Sequence, residues 1–213
     1  GATLSGELVT SNITIDTTGT TGAGNGDIFI NDALSWTASS TPTTLTLNAA
    51  RDVNINAAVT STNGSFSVCC GRDVNVNGAL SATNGSIKLS AGNDINQRAA
   101  ITVTDGNLLM CAGNNVNVFA ALTLTRGTAD PTRSLGLPLG MTLSADSDGT
   151  GPGTAGGTVA FDSLAPKATV TAAPVNIYYN PVSVAVATDY SNKFTLTQGA
   201  ALAEYMLVFA AAG

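Results

Sequence analysis

A six-residue phrase occurs four times in this chain at a constant spacing of 21 residues. Its copies begin at Arg51, Arg72, Asn93 and Asn114, and the turn pairs Asn63-Gly64, Asn84-Gly85 and Asp105-Gly106 keep the same step. A strict period of this length is the sequence signature of a repeat array. Each repeat must stack on its neighbours, because one repeat alone cannot cover its own apolar face. This periodicity constrains the fold more than any other feature of the chain.

Each repeat contains three short segments in which apolar and polar residues alternate, and such alternation indicates strands rather than helices. In one repeat the apolar members include Phe66, Val68, Val74, Val76 and Leu80. Alternate residues of a strand face opposite sides of the sheet, so these side chains line one interior. Three strands and three corners per 21 residues predict an all-β fold. The expected architecture is a parallel β-helix with three-stranded coils, each rising about 4.8 Å.

The period also predicts where the winding is interrupted. The inward-facing pattern resumes at Met141 with an offset of 33 residues, and at Val159 with an offset of 43. We therefore expect the β-helix to span residues 1–173, with corner-loop insertions at 126–139 and 146–157. Insertions in solenoids lie at corners, often on one side, and they are the first places to look for contacts with a partner.

The two ends of the chain lack the repeated phrase. The pattern in residues 1–26 predicts a first coil with strands at 8–9 and 12–15. Trp36 stands at an inward-facing position of its segment, so we expect it in the core. Residues 174–213 predict a divergent C-terminal β segment, which either caps the solenoid or joins it to another subunit. The candidate joining strand consists of Tyr205, Met206, Leu207, Val208 and Phe209.

Composition argues against several classes of partner. Charged residues make up 10% of the chain, the net charge is −6, and eight scattered Lys and Arg form no basic patch. Nucleic-acid binding is therefore not expected. The sequence contains no run of 18 apolar residues, so no membrane span is predicted. Because the chain begins with Gly1 and shows no secretory signal, we expect it to be a mature product or an excised fragment.

The phrase Asp-Val-Asn-Ile-Asn at 52–56, the Asn-Gly turns and the segment 26–33 together resemble filamentous-haemagglutinin-like exoproteins, which are bacterial adhesins exported by two-partner secretion. The segment 173–181 looks like the end of the β-helical stretch in some members. The resemblance covers roughly residues 24–210, and its motifs are structural. It implies a right-handed β-helix, a secreted or cell-surface location, an outer-membrane secretion partner, and a role in adhesion or in building a matrix such as a biofilm.

Two outward-facing columns are the main candidate surfaces. One is an asparagine ladder formed by Asn54, Asn75, Asn96 and Asn117, whose stacked amides can bond from coil to coil. The other is a Thr-x-Thr array on the third face, which resembles the ice-binding face of some β-solenoid antifreeze proteins. Threonine is also simply a favoured strand residue. The candidate ligand-face residues are Thr37, Thr60, Thr62, Thr83, Thr102, Thr104, Thr123 and Thr125.

Three cysteines, an odd number, do not form a disulfide framework. Cys69 and Cys111 share one outward column two coils apart, a separation of about 9.6 Å. That distance exceeds the limit of about 7 Å for a bridge within the chain. They are either tolerated free thiols or the site of an inter-chain disulfide. Cys70 points inward and fills the core as a small apolar residue.

Nothing in the sequence predicts an active site. The chain has no His, its only column of carboxylates is evenly spaced, and the polar inward residue Gln97 is expected to bond to a corner backbone. The run 146–149 has the alternating oxygen ligands of a calcium loop but lacks the later Glu, so a solvated loop is expected. We expect no catalytic residue, metal or cofactor. The predicted function is a secreted structural or adhesive rod, which attaches to a host or matrix protein or glycan or assembles end to end with copies of itself; the alternative is a carbohydrate-binding or ice-binding solenoid.

Overall fold

The computed structural model describes residues 1–19, 24–147, 156–181 and 185–207, and their strands form three parallel sheets. We call these sheets A, B and C. Sheet A contains, in stacking order, β1 (Ile13–Asp16), β4 (Thr43–Ala49), β7 (Gly64–Cys70), β10 (Ile87–Ala91), β13 (Leu108–Ala112), β16 (Met141–Ser144), β19 (Pro174–Tyr179) and β21 (Ala201–Met206). Sheet B contains β2 (Ile28–Ile30), β5 (Val53–Ile55), β8 (Val74–Val76), β11 (Ile95–Gln97), β14 (Val116–Val118) and β17 (Val159–Phe161). Sheet C contains β3 (Leu34–Thr37), β6 (Val59–Thr62), β9 (Leu80–Thr83), β12 (Ile101–Thr104), β15 (Leu122–Thr125), β18 (Ala168–Thr171) and β20 (Phe194–Thr197).

Each strand pairs with the strand one coil away, and the chain passes through A, B and C in turn. Val53, Val74, Ile95 and Val116 lie directly on top of one another. The same stacking holds for the apolar positions of sheets A and C, and these side chains form one continuous core. The prediction of a three-stranded parallel β-helix is confirmed.

The corner between sheets C and A explains the Asn-Gly turns. Asn63, Asn84 and Asp105 have φ values of 53°, 52° and 54°, a left-handed conformation that Asn and Asp tolerate better than most residues. Two of the glycines that follow, Gly85 and Gly106, lie against the backbone of the preceding coil, whereas Gly64 lies against the indole of Trp36. A Cβ atom on Gly85 would lie 1.9 Å from the carbonyl oxygen of Gly64. Glycine at this corner is therefore required by the close approach of two coils.

The insertions fall between the expected strands. Leu108 pairs with Met141 and Val116 pairs with Val159, as the offsets of 33 and 43 residues predicted. The first insertion joins sheet C to sheet A between β15 and β16, and we call residues 126–140 the CA loop. The second insertion lies mostly outside the described residues.

The first coil differs from the prediction. The strand expected at 8–9 is wrong: helix α1 (Ala2–Glu7) occupies the start of the chain, and Leu8 follows it in a turn. Leu8 is fully buried, so its apolar character reflects packing against the end of the core rather than strand alternation. The strand expected at 12–15 is present as β1. Trp36 is buried, as predicted, and its indole Nε1 donates to Thr43 Oγ1 at 3.1 Å.

The winding continues past residue 173, where we expected a divergent segment to begin. β19 and β21 extend sheet A, and β20, which follows the short 3-10 helix η1 (Ser191–Lys193), extends sheet C. Between β19 and β20 the described residues contain no strand that continues sheet B. The C-terminal segment therefore adds to two of the three sheets.

Candidate interaction surfaces

The asparagine column on the outer face of sheet B forms the predicted ladder. Each side-chain amide donates to the amide oxygen one coil below, at 3.0 Å from Asn75 to Asn54 and 3.1 Å at each of the next two steps up to Asn117. A second ladder, which the sequence analysis did not single out, joins Asn56 to Asn77 at 3.0 Å. These amides satisfy one another along the axis, so they stabilise the stack and present a polar face.

The carboxylate column beside this ladder is hydrogen-bonded from coil to coil, by arginine at the first steps and by asparagine at the later ones. Asp52 Oδ1 accepts from the Arg72 guanidinium at 2.7 Å and from the backbone N–H of Asp73 at 3.2 Å. One coil later Asn93 takes the place of the arginine and donates to Asp73 at 2.8 Å. At the first step, Arg51 bonds Asp27 and lowers the pKa of that carboxyl group. Each acid therefore binds the next coil, and the column links successive coils.

Gln97 is fully buried, as its inward position predicted. Its Nε2 donates to the carbonyls of Ala99 and Ala121 at 2.7 and 3.2 Å, and its Oε1 accepts from the N–H of Ala120 at 3.3 Å. The side chain is thus bonded to backbone at the corner between sheets B and C. The prediction that Gln97 bonds to the backbone of a corner is confirmed.

The Thr-x-Thr array covers the whole length of sheet C. The predicted rows continue through β18 and β20, which add Thr169 and Thr171 and then Thr195 and Thr197. The array therefore has seven rows of two, of which only Ser35 and Ser81 are not threonine. Neighbouring rows are separated by about 4.8 Å, and the two members of a row by about 6.7 Å. This surface is a regular, uncharged grid of hydroxyl and methyl groups.

The three cysteines occupy the predicted positions. Cys69 and Cys111 both pair with Ser90 from opposite sides, and all three cysteines are free. Cys69 is exposed and Cys111 is half-buried. Burial raises the pKa of the Cys70 thiol to about 11, so this group stays protonated at neutral pH. The inter-chain disulfide stays a prediction.

Asn107 is a buried residue whose role the sequence analysis missed. Its Oδ1 accepts from the N–H groups of Thr128 and Gly140 at 3.0 and 2.9 Å, and its Nδ2 donates to the Thr128 carbonyl at 2.8 Å. One amide thus holds both ends of the CA loop. Ser86 Oγ donates to the Arg133 carbonyl at 2.5 Å, which fixes the middle of the loop against the same corner. The signal was available: asparagine follows Asp105-Gly106, where the earlier repeats have serine.

The C-terminal end of the core is covered by aromatic side chains. Tyr179, Tyr190 and Phe194 are buried, and Tyr190 packs against Tyr179 and Phe161 with ring centroids 5.1 and 6.2 Å apart. The Tyr190 hydroxyl donates to the carbonyl of Val159 in β17, the last strand of sheet B, at 2.8 Å. Burial raises the pKa of this phenol to about 12, so it remains a donor. A side chain therefore takes the hydrogen bond that a further strand would have made.

The candidate joining strand is only partly a strand. Tyr205 and Met206 belong to β21, which pairs in parallel with β19 of the same chain, and Leu207 follows as a non-strand residue. Val208 and Phe209 lie outside the described residues. Tyr205 stacks on Tyr178 with ring centroids 4.7 Å apart. Whether this strand joins subunits stays a prediction.

An open depression of about 600 Å³ lies at the corner between sheets A and B, near the first coil. Asp16, Thr18, Asn48 and Cys69 are among its lining residues. A single carboxylate without a second acid or a histidine does not provide the pair of groups that acid–base hydrolysis uses.

Within the described ranges, no group of three or more Cys, Asp or Glu is placed to hold a metal ion. Over the same residues, no helix has the length and apolar character needed to cross a membrane. The run 146–149, considered above as a calcium loop, continues into residues outside the described part.

Comparisons with protein-family models, with curated proteins and with solved structures found no match. The fold and its surfaces define a three-sided parallel β-helix with polar ladders along its sides.

Proposed function

We propose that this chain is a rigid rod module of a secreted bacterial surface protein of the filamentous-haemagglutinin-like kind, and that it works in attachment rather than in catalysis. The observation that supports this is the unbroken stack of sheet A. Its eight strands extend about 34 Å along the axis. Backbone bonds and side-chain ladders both run along that axis, so the structure resists extension and bending.

The exposed chemistry fits an attachment role. The outer faces carry amides, hydroxyls and coil-to-coil ion pairs, and the chain is acidic overall. Amide and hydroxyl arrays form multiple weak hydrogen bonds to glycans or to matrix proteins, and many weak contacts on one rigid body add up to a strong attachment. The CA loop, held in one conformation by Asn107, adds a shaped protrusion to this surface.

The test is an adhesion assay with the purified chain on beads, measured against immobilised host-matrix proteins and a glycan array. We expect adhesion that decreases when Thr132 and Leu139, exposed residues of the CA loop, are replaced by Asp. A matched control replaces Thr14 and Phe29, exposed residues of the first coil, by Asp. Absence of adhesion to every surface, or equal loss in both variants, would contradict the proposed attachment through this loop.

Ice binding is a second candidate, favoured by the seven-row array on sheet C. A regular grid of threonines in two dimensions can order water on a lattice, and the row and column spacings given above are comparable to oxygen repeats on hexagonal ice. Thermal hysteresis measures this directly. Thr102→Lys, in the middle of the array, should abolish it, whereas Thr46→Lys on sheet A should leave it unchanged. Wild-type protein without thermal hysteresis or ice shaping would exclude this function.

Assembly into fibres is the other structural form of the proposal. Negative-stain microscopy distinguishes the forms, because end-to-end stacking gives long fibres and single modules give short rods. The residues at the two ends of the rod bear on whether this chain forms fibres or single rods.

A further inference from the structure

We infer that copies of this chain are blocked from stacking end to end, and that Glu204 is the residue that blocks sheet A. The inference concerns the ends of the rod and does not depend on whether its sides are adhesive.

The hydrogen-bond pattern shows which backbone groups face each end. Inward-facing residues direct their groups toward the following coil: the N–H of Val53 donates to Asp73, and the carbonyl of Ile55 accepts from Asn77. By the same alternation, Leu202, Glu204 and Met206 direct their backbone groups away from the molecule at the free edge of β21. Among the described residues, none of these groups has a backbone partner beyond β21. Within the described residues, this edge of β21 is therefore unpaired.

Glu204 makes that edge unfavourable for pairing. It lies on Ile177 in a column that is otherwise apolar throughout sheet A, from Ile15 upward. A second copy stacked in continuous register would place its Ile15 on the Glu204 carboxylate. An inward-pointing charge is a known way to protect an edge strand, because pairing would bury the charge without a counter-ion. The carboxylate instead accepts from the N–H of Tyr190 at 2.8 Å, at the exposed end of the rod.

An antiparallel contact between two β21 edges meets the same obstacle. Glu204 lies near the middle of the six-residue strand, so a two-fold contact would bring the two carboxylates close together. Like charges placed opposite each other in a sheet are destabilising. Glu204 therefore opposes both ways in which β21 could pair with another copy.

In each of the other two sheets, a side chain or a helix covers the backbone groups at one end. In sheet B, the Tyr190 hydroxyl donates a hydrogen bond to the carbonyl of Val159 in the last strand, β17. In sheet C, helix α1 lies against the first strand, and Ser5 Oγ accepts from the N–H of Ser35 at 3.1 Å. Among the described residues nothing comparable covers β21, and Glu204 is the charged residue of that strand.

Sedimentation velocity of the full chain tests this inference over a wide concentration range. Wild-type protein should remain a single species with the mass of one chain, 21.2 kDa. Glu204→Leu should associate into dimers or fibres, with an association constant raised on the order of a hundredfold or more. Glu204→Gln keeps an acceptor for the Tyr190 N–H but removes the charge, so it should associate to an intermediate degree.

Glu7→Leu is the matched control, because it makes the same change in charge and side chain on the exposed surface of α1 at the opposite end of the rod. It should remain monomeric. Fibres or dimers of the wild type would overturn the inference, and so would monomeric behaviour of a folded Glu204→Leu variant. If Glu204→Leu and Glu7→Leu associate equally, the effect is one of surface charge, and the assignment to Glu204 is wrong.

Discussion

Replacing Gly85 by alanine should test the close stacking of coils most directly. Gly85 follows the left-handed Asn84 at the corner between sheets C and A. An added Cβ would lie 1.9 Å from the carbonyl oxygen of Gly64 and 2.6 Å from its carbonyl carbon. Both atoms belong to the backbone of the preceding coil, so no side-chain rotation can make room.

The expected magnitude follows from this geometry. The two coils must separate by roughly an ångström at this corner, while both flanking strands hold them in register, and close-packed interiors resist such movement. Overpacking costs about 1–3 kcal/mol, and rigid backbone on one side places Gly85→Ala near the upper value. For a chain of this size, about 3 kcal/mol lowers the thermal unfolding midpoint by roughly 6–12 °C.

The control makes the same chemical change in open space. Gly6 lies in helix α1, and a Cβ there meets nothing within 4 Å. Gly6→Ala should raise stability by about 0.5–1 kcal/mol, since alanine loses less backbone entropy in a helix. Thermal and urea unfolding followed by circular dichroism measure both variants. If Gly85→Ala unfolds within a degree of the wild type, the coils do not approach as described and the argument for glycine at this corner fails.

Three further predictions concern single contacts. Asn107→Ala leaves two loop N–H groups without their acceptor and should cost about 1–3 kcal/mol, with faster proteolysis within the CA loop than in the wild type. Thiol titration of folded protein at neutral pH should modify Cys69 and leave Cys70 unmodified until unfolding, because one is exposed and the other is buried with a raised pKa; equal rates would contradict the burial. The hydrogen bond from Arg126 lowers the pKa of Asp105 below its ordinary value of 3.8, so the stabilisation is complete above that value and is lost as the pH falls through the lower folded pKa. In Arg126→Gln, the fall of the unfolding midpoint on acidification should be smaller than in the wild type. The part of the midpoint that does not depend on acid should be unchanged.

The regular part of the fold was predictable because a repeat determines its own register. Once Val53 and Val74 occupy the same position in successive coils, every other position is fixed by a constant offset. The offsets also placed Met141 and Val159 correctly beyond the insertions, since a strand that joins the stack must put its apolar residues inward. The bonding of Gln97 to a corner followed from the same reasoning, because a buried amide needs partners and the corner carbonyls are the nearest ones.

The ends of the rod were not predictable in this way. Residues 8–9 were interpreted as a strand, whereas Leu8 follows a short helix and packs on the first coil, a contact that no periodicity encodes. Tyr190 caps sheet B through one hydroxyl, which depends on how the segment before β20 folds back over the core. The position of Glu204 over an apolar column became visible only when β21 was paired with β19.

The sequence by itself determined the coil, its three faces and the columns of amide and threonine, because each follows from local alternation repeated at one spacing. Only the tertiary structure decided how the stack ends and how the CA loop is held, because these depend on contacts between segments that share no period. Asn107 shows the difference: its position in the repeat predicts a corner, and its three hydrogen bonds to the loop appear only when residues 128 and 140 are brought together in space.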